Sequence, residues 1–465
     1  MMNKLLKWNA EFAKNIWLEY SVQRMIAMPA IILLIIVLIF VNSGSGIDAF
    51  ETLKTASLGG FIFIGMLWGI KSASNSILDE YNDKTWDWQK MTIIGAWKLV
   101  IGKLFGSTIY NWYGGLICLL IYLFASLRLG SFSEALRDSF LLIVSMISLH
   151  GVIILMALQL IKKADGRAKV KSNRIFIAAF LFLSFLSNIF GFSIFHYTDF
   201  NPVISWFGIP LTLTTASIVS SLFYCVWIVA GLYRSMRAEL QYSDVPTWWL
   251  WFIVTNFLFQ TGFLIGYESF SVSTSLLIAV FVYFTELLFI VYFLAITESK
   301  DIVNFRTLQN AFVQKKWQIF FQNIPLWLLT LPIAFAFGLL AVFLFMIVGH
   351  ADIDEQLQSL DINGTMIAIA FLVSLFLFII RDLSVLLILH FSPKAKRANT
   401  AMFFYMLLMY IILPMLLSGA QNLGAAFYPT PKASVLLMVI FPLAEAGIAL
   451  FFLVKKWNAL SHDIH

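Results

Sequence analysis

Among the ionisable residues that fall inside long apolar stretches of the 465-residue chain are Glu286, Arg381, Asp382 and Glu445. Charge at membrane depth is costly, so it is kept there for a use: a substrate route, a proton relay, or polar glue between helices. The residue types alone leave all three open. Arg381 and Asp382 are neighbours in Phe378-Ile-Ile-Arg-Asp-Leu-Ser384. Adjacent helical residues point about 100° apart, which predicts that each pairs with another span rather than with its neighbour. Glu445 follows Pro442, a residue that can kink its helix.

A second concentration of chemistry lies in the polar stretch Asp79–Lys103, where Glu80, Lys84, Thr85, Trp86, Asp87 and Trp88 are followed by Gly95-Ala-Trp97 and Gly102-Lys103. It reads as a helix leaving the membrane, a short polar-aromatic helix along the surface, and a helix re-entering at Leu104. Trp86 and Trp88 are expected at headgroup level, with the charges facing water. Thr85 is expected to cap the short helix. Such an element suits docking into a partner's groove.

Other chemistries find no support in the spacing. Cys118 and Cys225 sit in apolar stretches and form no disulfide framework or metal motif, and the six histidines are scattered. The nearest approach to a phosphate loop, Gly95 to Leu104, has six residues between its glycines instead of four. It also places Leu where a hydroxyl must reach magnesium. Catalytic, metal and nucleotide sites are therefore not expected in this chain.

The elements that must position these residues follow from composition. Apolar residues make up 60% and charged ones 12%, with mean hydropathy +0.87. Soluble domains carry about 25% charged residues, so this is the balance of an all-α polytopic membrane protein. Its net charge of +6 implies no nucleic-acid partner, because the bases flank apolar segments. A helix needs about 20 residues to span the hydrocarbon core. That ruler predicts twelve spans: 25–42, 55–78, 104–127, 139–161, 175–195, 213–233, 247–267, 273–296, 324–349, 365–391, 401–419 and 435–454. The stretch Asn201–Thr214, with its Pro and Gly, is a candidate re-entrant segment. With the N-terminus inside, 25 of the 31 Lys and Arg residues fall on the cytoplasmic side and 4 outside. This bias predicts a multi-pass protein of the plasma (inner) membrane with both termini cytoplasmic.

The halves share a rhythm. Each ends in a span, a basic loop (Lys162–Arg174; Ser392–Arg397), a span, an outer loop, and a last span with a basic tail. Both start on one side, which predicts two parallel six-helix repeats: residues 25–240 and 241–465, after an N-terminal surface segment 1–24. In that segment Leu5, Leu6, Trp8, Phe12, Ile16 and Trp17 lie mainly on one side, the pattern of an amphipathic surface helix.

The run Ser76, Glu80, Thr85, Trp97, Gly102 and Lys103 resembles the ABC-2-type exporter permeases. The resemblance covers roughly residues 1–235. It implies that the loop between the second and third spans is a coupling helix docking on an ATP-binding subunit, with residues 80, 84–88, 102 and 103 as the coupling set. ATP and magnesium would then sit on that partner, and no cofactor in this chain. The second loop, Thr297–Trp317, keeps a Thr, bases and a Trp but lacks the Gly-Lys close and the acidic-aromatic block. The expectation is thus the permease subunit of an ABC exporter, itself not an enzyme, in contact with membrane lipid. The alternative is an ion-coupled secondary transporter using the intramembrane carboxylates.

Overall fold

The computed structural model describes residues 8–19, 21–44, 46–164, 203–242, 245–265, 271–298, 300–348, 362–392, 397–417, 419, 421–430 and 433–462. The predicted span 175–195 lies outside them. The chain is an all-α polytopic membrane protein: among the described residues ten helices are long and apolar enough to cross a bilayer. It folds as two compact units, Met1–Ile204 with Leu211–Asp244, and Ser205–Pro210 with Val245–His465.

The first unit opens with the short helix α1 (Ala10–Glu19). The spans α2 (Val22–Ser43) and α3 (Ile47–Asn82) follow. The loop holds α4 (Trp86–Lys90) and α5 (Ala96–Ile101), and α6 (Ile109–Arg128), α7 (Phe132–Ala164) and α8 (Leu213–Glu239) complete the bundle. Helix α3 packs on α6 and α7, and α7 packs on α8. Phe61, Ile70, Ile77, Met146, Leu149 and Ile153 form the centre of the core. Between Ile62 and Leu67, α3 takes a π turn, which releases carbonyls from the regular ladder. Two are met by side chains: Asn111 Nδ2 donates to Ile64 O at 2.9 Å and His150 Nε2 to Gly65 O at 3.1 Å. Satisfied backbone at membrane depth is what permits the irregularity.

Asn201–Thr214 is not a re-entrant helix. From residue 203 it forms a hairpin of β1 (Val203–Trp206) and β2 (Ile209–Thr212). Pro210 cannot donate into a helix, and Phe207 and Gly208 both hold positive φ (49° and 81°), as a tight hairpin turn requires. Trp206 Nε1 donates to Phe259 O at 3.1 Å, and the Phe207 amide to Gly262 O at 2.7 Å.

Among the described residues the second unit has a similar order of two long helices, two short loop helices and two further long helices. It comprises α9 (Thr247–Leu264), α10 (Val272–Thr297), α11 (Ile302–Val313), α12 (Trp317–Asn323) and α13 (Leu326–Val348). After these come α14 (Ile362–His390), α15 (Ala398–Leu416) and α16 (Val435–His462). Here α10 packs on α13 and α14 on α16. These are the pairings of second with third and fourth with last span seen in the first unit. Helix α9 forms where a span is predicted but is not among the ten, because Asn256, Gln260 and Thr261 lower its hydropathy.

Candidate functional site

Helix α1 is amphipathic, but its polar side turns inward. Trp8 and Trp17 are exposed, whereas Asn9, Glu11, Ala13 and Asn15 are buried against the chain around Gly102; Leu5 and Leu6 lie outside the described residues. Asn9 Oδ1 accepts from the amides of Glu11 and Phe12 at 3.1 and 3.2 Å, capping the helix, while its Nδ2 donates to Lys98 O at 2.8 Å. The close approach needs Gly102: a Cβ there would lie 2.6 Å from Glu11 Cγ.

At the junction, Gly102–Gly106 forms another π turn and carries Lys103 inward. Lys103 is fully buried, with its Nζ 2.8 Å from Glu11 Oε1, 2.5 Å from Glu80 Oε2 and 2.9 Å from Ser76 O. Lys14 joins the same carboxylates, at 3.3 Å from Glu11 and 2.6 Å from Glu80. Asn15 Nδ2 bridges Glu11 Oε1 (3.1 Å) and Gly102 O (3.0 Å), and Gln89 donates to Glu11 Oε2. Two cations thus face two anions, and the most buried pair, Lys103 and Glu11, is further hydrogen-bonded by Ser76 O, Asn15 and Gln89, which is the condition for tolerating buried charge. Burial opposes the charge on Glu11, but Lys103 and Lys14 outweigh it and hold its carboxyl below the ordinary 4.5. Burial likewise opposes the charge on Lys14, and Glu11 with Glu80 outweighs it and raises its ammonium.

The eight loop residues singled out in the sequence therefore divide. Glu80, Gly102 and Lys103 belong to the interior. Trp86 is buried rather than at headgroup level, with Lys103 Nζ 5.9 Å over its ring and its Nε1 reaching Glu239 Oε2 at 3.4 Å. Thr85 does not cap α4; its hydroxyl turns back to Glu80 O at 3.1 Å, because Lys84 (φ 60°) reverses the chain just before it. Lys84, Thr85, Asp87 and Trp88 remain outside. Asp87 pairs only with Lys90, at 2.8 Å, among the described residues. Trp88 is 74% exposed and Met91 81%, and Ile93 is fully exposed. Glu11, Asn15 and Gln89 were missed by the sequence reading, although Glu11 and Asn15 stand at i and i+4 on one face.

In the second unit Arg381, Asp382 and Glu445 come together, and the expectation about the neighbours is corrected in one part: each does reach other spans, but Arg381 Nε also lies 2.8 Å from Asp382 Oδ1. Long side chains bend along the helix, so a divergence at Cβ does not separate the charged ends. The guanidinium also reaches Glu445 Oε2 at 2.5 Å, Phe427 O at 3.2 Å and the Tyr410 hydroxyl at 3.3 Å. Asp382 accepts from Tyr292 (2.7 Å), Tyr405 (2.7 Å) and Tyr410 (2.5 Å), so it ties α14 to α10 and α15. Glu286 stands apart, taking hydrogen bonds from Asn256 Nδ2 (3.1 Å) and Gln260 Nε2 (2.6 Å), with no ion-pair partner among the described residues. No group of three or more His, Cys, Asp or Glu suited to a metal occurs among the described residues.

No family model matches the chain, nor does any curated protein or solved structure.

Proposed function

We propose that the chain is the membrane subunit of an ABC-type exporter, with two six-span halves in one polypeptide and cytoplasmic termini. ATP and magnesium would be bound by a separate subunit. The observation that carries this reading is the exposed tip of the first loop. Trp88, Met91 and Ile93 present apolar area beside Asp87 and Lys84, the mixture that anchors a small interface. An exposed apolar cluster on an otherwise charged loop calls for a partner. The tip is not a loose appendage, because α3 runs into it and Lys103 binds its base to Glu11 and Glu80. A push on the tip is thereby felt by the bundle. The shared element order and the shared span pairings of the two units support the duplication.

The test follows from how the loop residues divide. Glu80 is structural, so the interface is probed at Asp87 and Trp88. The full-length chain is co-expressed with candidate ATP-binding subunits from its own source, and the pair that co-purifies is reconstituted. Asp87→Lys with Trp88→Ala is expected to abolish co-purification and transport while melting and membrane yield stay unchanged. Retention of both activities overturns the reading. A second reading, ion-coupled secondary transport, is favoured by Glu286, a carboxylate held by the side-chain amides of Asn256 and Gln260. It requires uptake driven by an ion gradient without ATP and lost in Glu286→Gln.

A further inference from the structure

The second unit contains an open cleft of about 700 Å³ between α14, α15 and α16. Its inner end is the Arg381–Glu445 pair, and Lys455 and Lys456 stand at its mouth. On α16 ten to eleven residues separate Glu445 from these lysines, a rise of about 15 Å, so the cleft runs from the depth of the bundle to headgroup level. Val385, Met409, Ile448 and Phe452 make its walls apolar, and Ile448 and Phe452 are themselves exposed on the outer surface. The cleft is therefore open sideways, toward the acyl phase.

The charges at its two ends differ in how they are satisfied. Arg381 is neutralised locally by Asp382 and Glu445. Lys456 Nζ donates to Ile388 O at 3.1 Å, near the end of α14, and Lys455 is exposed with no ion pair among the described residues. Among the described residues the one acid lining the cleft is Glu445, a carboxylate already engaged by Arg381. Two adjacent cations with no anion beside them among the described residues, at the mouth of an apolar groove open to lipid, complement a molecule with an anionic head and a hydrocarbon tail. We propose that this cleft is a binding site for an anionic phospholipid, with its phosphate between Lys455 and Lys456 and one acyl chain along Ile448 and Phe452. The proposal does not depend on the exporter reading. Basic pockets between spans are suited to such headgroups, whereas a bare surface lysine attracts them only diffusely.

The experiment uses the full-length protein in nanodiscs of phosphatidylcholine containing a minor fraction of phosphatidylglycerol, with retained lipid counted by native mass spectrometry after extraction. Wild type is expected to retain phosphatidylglycerol selectively. Lys455→Gln/Lys456→Gln is expected to lower that retention about 20-fold. Lys315→Gln/Lys316→Gln removes equal charge from the segment between α11 and α12 and is expected to change retention by less than about twofold. Ala449→Phe fills the groove and is expected to displace the lipid while both lysines remain. Undiminished retention in the Lys455/Lys456 variant overturns the proposal, as does an equal loss in the Lys315/Lys316 control.

Discussion

The two units each bury a network of opposite charges, but at different depths and with different consequences. In the first, the Lys103 ammonium joins Glu11 of α1 to Glu80 at the end of α3, so the network clamps the loop base to a surface helix. In the second, the Arg381 guanidinium joins α14 to α16 through Glu445, and Asp382 gathers three tyrosine hydroxyls. A lysine offers a compact charge that sits between two carboxylates, while an arginine offers a planar fork that can serve several acceptors at once. The first network is a fastener; the second also forms the floor of an open cleft. Buried charge in a membrane protein thus does not by itself identify a transport route.

That contrast can be broken at its strongest point first. Lys103→Met removes a fully buried cation and leaves Glu11 and Glu80 with only the half-exposed Lys14 between them. The expected cost is about 3–5 kcal/mol, seen as a large fall in folded yield and melting temperature. Arg381→Leu strands Asp382 and Glu445, but the tyrosines still satisfy Asp382 and polar contacts within membranes are worth less, so about 2 kcal/mol is expected. If Arg381→Leu proves the costlier in paired melting curves, the assignment of the first network as the stronger fastener fails.

Gly102→Ala sharpens the comparison without touching charge. Its Cβ would meet Glu11 Cγ at 2.6 Å, and overpacking of this kind costs about 1–3 kcal/mol. Faster proteolysis or amide exchange in α1, with the second unit unchanged, is the expected readout. The smallest effect is a pH dependence. The folded Glu11 carboxyl lies below its ordinary 4.5, so its contribution is present above 4.5 and is lost as pH falls through the lowered folded value. Acidification should release α1 in wild type, followed by exchange of its amides. Glu11→Gln should start from a looser helix and lack this acid limb.

Much of the fold was legible because span length and charge bias are local properties: Val22–Ser43, Val272–Thr297 and Val435–Leu460 fall where an apolar window places them. The site was legible only in part. Glu80, Gly102 and Lys103 stood out by type, but their burial depends on α1, about 90 residues earlier in the chain for Lys103. No window of sequence contains that contact. Thr85 had the right type for a cap, yet the reversal at Lys84 turned its hydroxyl elsewhere. Arg381 and Asp382 misled because the divergence of neighbouring Cβ atoms says nothing of how far a guanidinium can bend back.

The length of α3 has a mechanical meaning. Its 36 residues, interrupted only by the π turn at Ile62–Leu67, run for about 54 Å, against a hydrocarbon thickness of about 30 Å, so its end and the α4 tip stand clear of the acyl phase. Pivoting by 5° about its midpoint would sweep the end through about 2 Å, enough to part the ammonium of Lys103 from a carboxylate or to drive the tip against whatever it touches. In the second unit the corresponding helix α10 has 26 residues, about 39 Å, and both spans end in a break before the loop helix, between Asn82 and Trp86 in the first unit and between Thr297 and Ile302 in the second. The first half thus carries the longer lever, so the same tilt moves its loop farther than it moves the loop of the second half.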